Sequence, residues 1–478
     1  MPREHFERLT ALDASFLALE TETAHMHVGA VITLEANGLE NSDGGIDIDK
    51  IRTYIDSQLH RAPRYRQKLR WVPGLRHPVW IDDDQFNIHY HVRHTALPRQ
   101  GDERQLKRMA GRLFSQRLDR SRPLWEIWVV ELLEGDRFAL IIKAHHCMVD
   151  GVAGAELFTL LLRGTPDASI PDARPWEPRP APSGGELLAA ELTHRATGTR
   201  SLLAELRDNL TEHAQSLWDE TKRVAGMLKE SLTPASPTPL NPKAIGPHRR
   251  FDVTRFELAD VKAVKNALGG TINDVVLAVT VGALARFFER RGIMASTLPD
   301  FRAMIPVSVR KRADGGTTGN RIAMMLAKLP IDEPDPVARF VKIHEVCEYL
   351  KHESGQADGA AKLEEVTDAT VGALLSDVIK LAARQRPFNV VVTNVPGPPV
   401  PLYLLGARIT EVYPLVPLYE NQALGVALIS YAGGLYWGLV ADWQSIPDMH
   451  DLIGDLEAAF AELRTLADAA TESHAASP

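Results

Sequence analysis

Apolar and polar positions follow two periods along the first half of the chain, and these periods predict both strands and helices. Apolar positions alternate with a two-residue period or form short β-branched runs, as is typical of strands. Elsewhere they recur at three- and four-residue spacing, as on one face of a helix. The predicted strands of this half are 26–34, 86–92, 125–133 and 138–144, and the predicted helices are 49–60 and 104–115.

The second half shows the same mixture, with helices at 260–267, 272–290, 337–351, 369–383 and 449–470 and strands at 301–309, 322–329, 388–393 and 408–412. The segment between Glu420 and Asp442 carries no charge and is long enough to span a bilayer. Gly433 and Gly434 lie at its centre, between two β-rich runs. We therefore expect a hairpin over 423–441 with a two-residue turn at these glycines.

Two proline clusters separate the halves. Six prolines lie between residues 166 and 182, and a second cluster runs from 234 to 247. Proline interrupts helices and central strands, so both clusters are predicted to be extended. Between them, leucines from 203 to 228 recur at helical spacing. The predicted organisation is an N-terminal lobe at 1–165, a helical connector at 166–247 and a C-terminal lobe at 248–478, with an α/β (α+β) fold and a cleft between the lobes, where ligand sites usually lie.

Composition and charge exclude several classes of protein. Hydrophobic residues make up 45% and charged residues 24%, as in globular proteins. The net charge of −8 argues against a nucleic-acid-binding protein, because phosphate binding needs a basic field. Two cysteines are too few for a disulfide framework or a thiolate metal site. The charged N-terminus lacks the apolar core of a secretion signal, so we expect a cytoplasmic protein.

The candidate chemistry lies where the apolar run 138–144 ends at His145 and His146, followed by Asp150 and Gly151. Histidine titrates near neutrality and suits proton transfer. Adjacent strand residues point to opposite faces, so the two rings serve one site only if the strand has already ended. Asp150 can orient an imidazole, pair with an arginine or cap the following helix. A buried histidine pair beside a helix cap explains the same residues.

This segment resembles the HHxxxDG motif of the bacterial wax ester synthase/diacylglycerol acyltransferases. Those enzymes belong to the CoA-dependent acyltransferases that share a two-lobed, chloramphenicol acetyltransferase-like fold with a central cleft or tunnel. Further stretches resemble the family in the same order, over nearly the whole chain except the connector. They are LDASFL at 12–17, MHVG at 26–29, PLW at 123–125, ND at 273–274, PVSVR at 306–310, GN at 319–320 and NVPGP at 394–398.

The resemblance implies roles for the motif residues. His146 is expected to be the general base, and His145 a structural neighbour. Asp150 is expected to pair with an arginine, for which Arg310 is the candidate, and to shape the loop that begins with Gly151. HHxxxDG also occurs in condensation families, so the ordered set of stretches is more specific than the motif alone.

The C-terminal lobe contributes further candidates. By the resemblance, Asn273 and Asp274 lie near the catalytic histidine, although a capping box between Thr271 and Asp274 also explains the aspartate. Thr393 and Asn394 end a strand, where a hydroxyl or amide either donates to the oxyanion of the tetrahedral intermediate or stabilises the turn.

The implied activity is transfer of a long acyl chain from acyl-CoA, as co-substrate, to diacylglycerol, without a cofactor or metal. A long-chain alcohol is the second possible acceptor, which would give a wax ester. The same motif is also compatible with a low-turnover lipid-binding paralogue and with an amide-forming condensation enzyme. Lipid substrates of this kind imply peripheral association with a membrane or lipid droplet surface.

Other motifs fail or have simpler explanations. No G-x-S-x-G elbow occurs, and the segment from His344 to Glu348 has a glutamate where a zinc motif needs its second histidine. Cys147 as an acyl-accepting nucleophile is disfavoured, since chain neighbours rarely face one another. His25 and His27 are expected on an exposed strand face, and Trp125 in the core.

Overall fold

Two six-stranded sheets form the centre of the fold in this computed structural model. The structure describes residues 5–36, 38–75, 77–148, 160–209, 233–309, 321–356, 381 and 384–475. The strands are β1 Glu7–Arg8, β2 His27–Glu35, β3 Gln67–Trp71, β4 Pro78–Asp82, β5 Val92–Gly101, β6 Trp125–Leu133, β7 Arg137–His145, β8 Arg249–Glu257, β9 Arg302–Val309, β10 Arg321–Lys328, β11 Val390–Val395, β12 Tyr403–Leu404, β13 Ala407–Leu415, β14 Leu424–Tyr431 and β15 Gly434–Asp442. The helices are α1 Ala11–Leu19, α2 Ile48–Gln58, α3 Ile88–His91, α4 Glu103–Phe114, α5 Gly184–Asn209, α6 Leu258–Leu268, α7 Ile272–Arg290, α8 Pro336–Gln356 and α9 Met449–Ala475.

The second half of the chain contributes two strands to the N-terminal sheet. The N-terminal sheet has the order β12-β13-β2-β7-β6-β5, and the C-terminal sheet has the order β10-β9-β11-β14-β15-β8. Strands β12 and β13 come from the second half of the sequence, yet β13 pairs antiparallel with β2 of the first half. Backbone hydrogen bonds therefore join the lobes, in addition to packing of α4 against β8. A small third sheet, β1-β4-β3, lies outside both.

The C-terminal sheet separates between β9 and β11. These strands are parallel but pair only at Val390–Ala303 and Val391–Met304. Beyond Val391, β14 is the one described strand that pairs with β11. The facing backbone edges thus diverge towards the carboxyl ends of two parallel strands, a place where α/β proteins commonly bind ligands.

Helix α7 lies inside the C-terminal lobe, with residues 274–284 buried. Helices α6, α8 and α9 pack around it. Within the described ranges, no single helix is long and apolar enough to cross a membrane; α6 and α7 together pass that length and composition test, but they meet at 96°. Burial of α7 among its neighbours accounts for its apolar sequence.

Most predicted elements are confirmed with shifts of one to a few residues. The hairpin is β14–β15, but its turn residues are Ala432 and Gly433, both with positive φ, rather than Gly433 and Gly434. The predicted strand at 86–92 is wrong, because α3 occupies most of it. The segments 166–183 and 233–248 contain no helix or strand. The predicted helix at 369–383 lies almost wholly outside the described residues, as does most of 203–228 beyond α5.

Candidate active site

The strand β7 ends between the two histidines of the motif. His145 is its last residue and pairs with His27 of β2. His146 begins a short 3-10 turn, 146–148, and its backbone N–H donates to the carbonyl of Met26 at 2.8 Å. Because the extended backbone stops here, the alternation of strand side chains no longer governs His146. The two rings consequently lie in different surroundings.

Both ring nitrogens of His145 have partners. The backbone N–H of Cys147 donates to Nδ1 at 3.1 Å, so Nδ1 carries no proton. The proton is therefore on Nε2, which donates to Oε2 of Glu20 at 2.9 Å. Burial lowers the pKa of His145, while the Glu20 carboxylate opposes this shift. His145 has no free nitrogen for a substrate proton.

Glu20, at the end of α1, organises this side of the site. Its carboxylate is 1% exposed and accepts hydrogen bonds from Arg117 and Arg120, both at 2.7 Å. Burial alone would raise the pKa of Glu20, but the hydrogen bonds from His145 and Arg120, together with the nearby His25 ring, hold it far below its ordinary value. Sequence reasoning missed Glu20, whose only signal is a lone acid at the end of an apolar helix.

The expectation that His25 and His27 lie on an exposed strand face is wrong. His27 is fully buried, and its Nε2 accepts the backbone N–H of Leu118 at 3.4 Å. Burial and the positive charge of Lys143 lower the pKa of His27 well below its usual range. The His25 side chain is 9% exposed and faces Glu20 at 3.7 Å. Polar residues on this strand are buried because β2 is an internal strand of the sheet.

His146 is the member of the pair whose ring makes no hydrogen bond to a described side chain. Its ring is partly buried and stacks on Phe16, with ring centroids 3.8 Å apart and planes at 18°. Nδ1 is buried and finds no partner in the part of the chain that the structure describes. Burial lowers the pKa of His146 to about 4, and His145 adds to the shift. The ring is thus neutral at pH 7 and can accept a proton.

The neighbouring thiol has the opposite character. Cys147 is 3% exposed, and burial raises the pKa of its thiol well above the ordinary value. The thiolate is the nucleophilic form of cysteine. A protonated, enclosed thiol fits a packing role.

Asn273 and Asp274 open α7 in different ways. The capping box is present: the Thr271 hydroxyl accepts the N–H of Asp274, and Asp274 Oδ2 accepts the N–H of Thr271 at 2.8 Å. Asp274 is fully buried and also receives Nδ1–H of His344 at 2.8 Å. The Asn273 side chain is partly exposed and makes no hydrogen bond to another described residue.

Thr393 and Asn394 lie on β11 beyond the point where β9 leaves it. Both side chains are partly exposed and unpaired among the described residues. Because consecutive strand residues point to opposite faces, only one of them can face a given side of the opening.

Three candidates, Asp150, Gly151 and Arg310, lie outside the described residues. Trp125 is buried as expected, with its Nε1–H donated to the carbonyl of Tyr65.

A cavity of about 470 Å³ lies beside the Glu20 network, and a second of about 20 Å³ lies between the lobes; neither is lined by His146. The predicted tunnel to His146 therefore stays a prediction.

Comparison with known proteins identifies the family. Residues 9–276 match the wax ester synthase/diacylglycerol acyltransferase catalytic domain, and residues 318–464 match the WS/DGAT C-terminal domain. The chain belongs to the wax ester synthase/diacylglycerol acyltransferase family. The resemblance stated from the sequence is thereby confirmed, and so is the predicted two-lobed α/β fold.

Several relatives of this WS/DGAT chain match along almost their full length. A probable diacylglycerol O-acyltransferase, tgs1, of Mycobacterium tuberculosis (strain CDC 1551) is 32% identical over 470 residues, covering 95% of each chain. A putative diacylglycerol O-acyltransferase of strain H37Rv is 32% identical over 472 residues, covering 97% of this chain and 91% of the relative.

Two solved structures are similar to this chain in fold. The wax ester synthase/diacylglycerol acyltransferase from Marinobacter aquaeolei VT8 is 26% identical with a TM-score of 0.68, covering 97% of this chain and 100% of that one. The first condensation domain of the CDA synthetase is 15% identical with a TM-score of 0.56, over 97% and 96% of the two chains, which shows a shared fold.

Proposed function

We propose that this protein is an acyl-CoA:diacylglycerol O-acyltransferase in which His146 is the general base. The observation that carries the proposal is the contrast between the two motif histidines. His145 uses both ring nitrogens in fixed hydrogen bonds, whereas His146 is neutral and has an imidazole without a partner among the described residues. Membership of the family and relatives named diacylglycerol O-acyltransferase support the choice of reaction.

The reaction needs one proton carrier. Nε2 of His146 takes the proton of the diacylglycerol hydroxyl, since Nδ1 is buried. The alcohol oxygen attacks the thioester carbonyl and forms a tetrahedral oxyanion. The C–S bond then breaks, the CoA sulfur receives the proton from His146, and the products are triacylglycerol and CoA. The low pKa favours this last transfer, because an imidazolium in apolar surroundings gives up its proton readily.

Oxyanion stabilisation falls to the C-terminal lobe in this proposal. Asn273 and one of the two consecutive strand residues Thr393 and Asn394 are the proposed donors, because their polar side chains are unpaired among the described residues. Asp274 supports the turn that carries Asn273. Asp150, paired with Arg310, is proposed to shape the loop at Gly151. No cofactor is needed, with acyl-CoA as co-substrate.

Diacylglycerol resides in membranes and lipid droplets, so we further propose that the protein works at such a surface as a peripheral protein on the cytoplasmic side. Flotation with vesicles that contain diacylglycerol tests this point: the protein should float with them and remain at the bottom with vesicles of phosphatidylcholine alone. Equal behaviour in both would count against recruitment by the acceptor.

A long-chain alcohol is the second candidate acceptor, favoured by the wax ester synthase name of the matching Marinobacter structure. Product analysis by mass spectrometry, with palmitoyl-CoA and equal amounts of diacylglycerol and hexadecanol, separates the candidates. We expect triacylglycerol as the main product with equimolar CoA release. A predominant wax ester would favour the second candidate. Saturable lipid binding without CoA release would show the low-turnover paralogue.

A further inference from the structure

One face of α8 lies against the turn that begins α7. Phe340, His344 and Cys347 occupy positions i, i+4 and i+7 of α8, which share a helix face. The Phe340 ring lies so close to Gly270 that a Cβ atom there would be 2.5 Å from its Cζ atom. His344 Nδ1 lies 2.8 Å from Oδ2 of Asp274. The turn is therefore held from outside by α8.

Asp274 is the link between the two helices. Its side chain is fully buried, and Oδ2 accepts the Thr271 N–H within α7's own cap as well as the His344 proton. Burial would raise the pKa of Asp274, but the His344 and Thr271 hydrogen bonds lower it below its ordinary value. The carboxylate is thus ionised, and Nδ1 of His344 carries the donated proton. A buried carboxylate that loses such a donor is costly, so the link resists displacement.

Asn273 depends on this link for its position. It is the second residue of α7, directly before Asp274, and its own amide has no hydrogen bond to a described residue. The backbone of the first turn is what orients the amide. Among the described side chains, those of Asp274 and Thr271 close that turn, and His344 is the imidazole that reaches Asp274 from another helix.

We propose that His344 is a positioning residue for acyl transfer, which acts through Asp274 to hold the amide of Asn273 towards the reacting groups. This inference rests on the proposed function, in which Asn273 contacts the substrates. It gives a role to a histidine whose sequence context fits no metal motif.

Two substitutions distinguish the hydrogen bond from the bulk of the ring. His344→Asn keeps an N–H close to the position of Nδ1, whereas His344→Leu removes the donor. We expect H344L to lower kcat/KM for diacylglycerol about tenfold and H344N to stay within about threefold of the unchanged protein, since small displacements of a positioned group have effects of this order or larger. Equal losses in both variants would overturn the proposal.

A double-mutant cycle with Asn273→Ala tests whether His344 acts through Asn273. In the N273A background, H344L should cause no further loss of kcat/KM. The same tenfold loss in both backgrounds, or full activity of N273A alone, would contradict the proposal. His450→Leu is the matched control, because His450, on α9, also pairs with an aspartate, Asp252, at 3.1 Å. This substitution should leave kcat/KM unchanged in either background.

Hydrogen exchange gives a readout that does not depend on turnover. Amides of residues 272–276 should exchange about tenfold faster in H344L and at the original rate in H344N, because only the first loses the link to Asp274. Unchanged exchange in H344L would refute the positioning role. If exchange behaves as expected but the unaltered protein releases no CoA, the proposed function fails instead.

Discussion

The ring of Phe16 lies on the ring of His146, with centroids 3.8 Å apart and planes inclined by 18°. Phe16 is on α1 and His146 follows β7, so two distant parts of the sequence enclose the candidate base. The same helix ends at Glu20, which holds His145. Helix α1 thus covers one face of the His146 ring and, through Glu20, fixes the His145 ring.

We expect the Phe16 ring, which covers one face of His146, to set the pH at which His146 loses activity. A base with a pKa of about 4 is neutral above that pH, so kcat/KM should stay flat from neutrality down to near pH 4. Phe16→Ala admits water to the ring, which raises its pKa towards the ordinary value of 6.5 and moves the acid limb upwards. Phe16→Leu keeps an apolar cover and should leave the profile in place. Identical profiles in F16A and F16L would contradict this role for Phe16.

The Glu20 network should contribute to stability as an ionised group. Glu20→Gln removes the charge that Arg117, Arg120 and His145 share, and we expect a loss of roughly 1.5–3 kcal/mol in the free energy of unfolding, as for hydrogen bonds to charged groups. Urea denaturation at pH 7 measures it. Glu22→Gln, at an exposed position two residues away, is the control and should change little.

The same network predicts how the stabilisation contributed by Glu20 changes with pH. Because the folded-state pKa of Glu20 is depressed, its stabilisation is present above the unfolded value near 4.5 and is lost as the pH falls through the folded value. The stability difference between E20Q and the unaltered protein should therefore shrink below about pH 4.5. A difference that grows on acidification would contradict the assignment of Glu20 as the ionised partner.

The sequence predicted the elements whose signals are local. The β14–β15 hairpin follows from two apolar runs around glycines, and α7 begins at Ile272 because Thr271 and Asp274 form a capping box. The turn position was off by one residue, since Ala432 tolerates a positive φ that the pattern assigned to glycine alone.

What the sequence could not supply depends on contacts between distant segments. The burial of His27 follows from the place of β2 inside a sheet that takes β13 from the other lobe. The pairing of Asp274 with His344 joins residues 70 positions apart. The strand predicted at 86–92 is wrong because Asn87 caps a short helix there. The prediction followed the apolar pattern and gave no weight to this capping residue.

In the candidate site too, some features follow from the sequence and others depend on contacts between distant segments. The family resemblance singled out His146, and the termination of β7 at His145 explains how the two neighbouring histidines lie in different surroundings. The hydrogen bonds that commit His145 to the structure need Glu20, which no motif marks.

The most direct test of the account is the rate of acyl transfer after His146→Ala. Transfer of labelled palmitate from palmitoyl-CoA to diacylglycerol should fall by about 10²–10⁴-fold, the usual contribution of a positioned base, while circular dichroism and the unfolding midpoint stay close to those of the unaltered protein. Cys147→Ala, one residue away, should keep most of the activity. Retention of full activity in H146A, with its fold intact, would contradict the assignment of His146 as the general base.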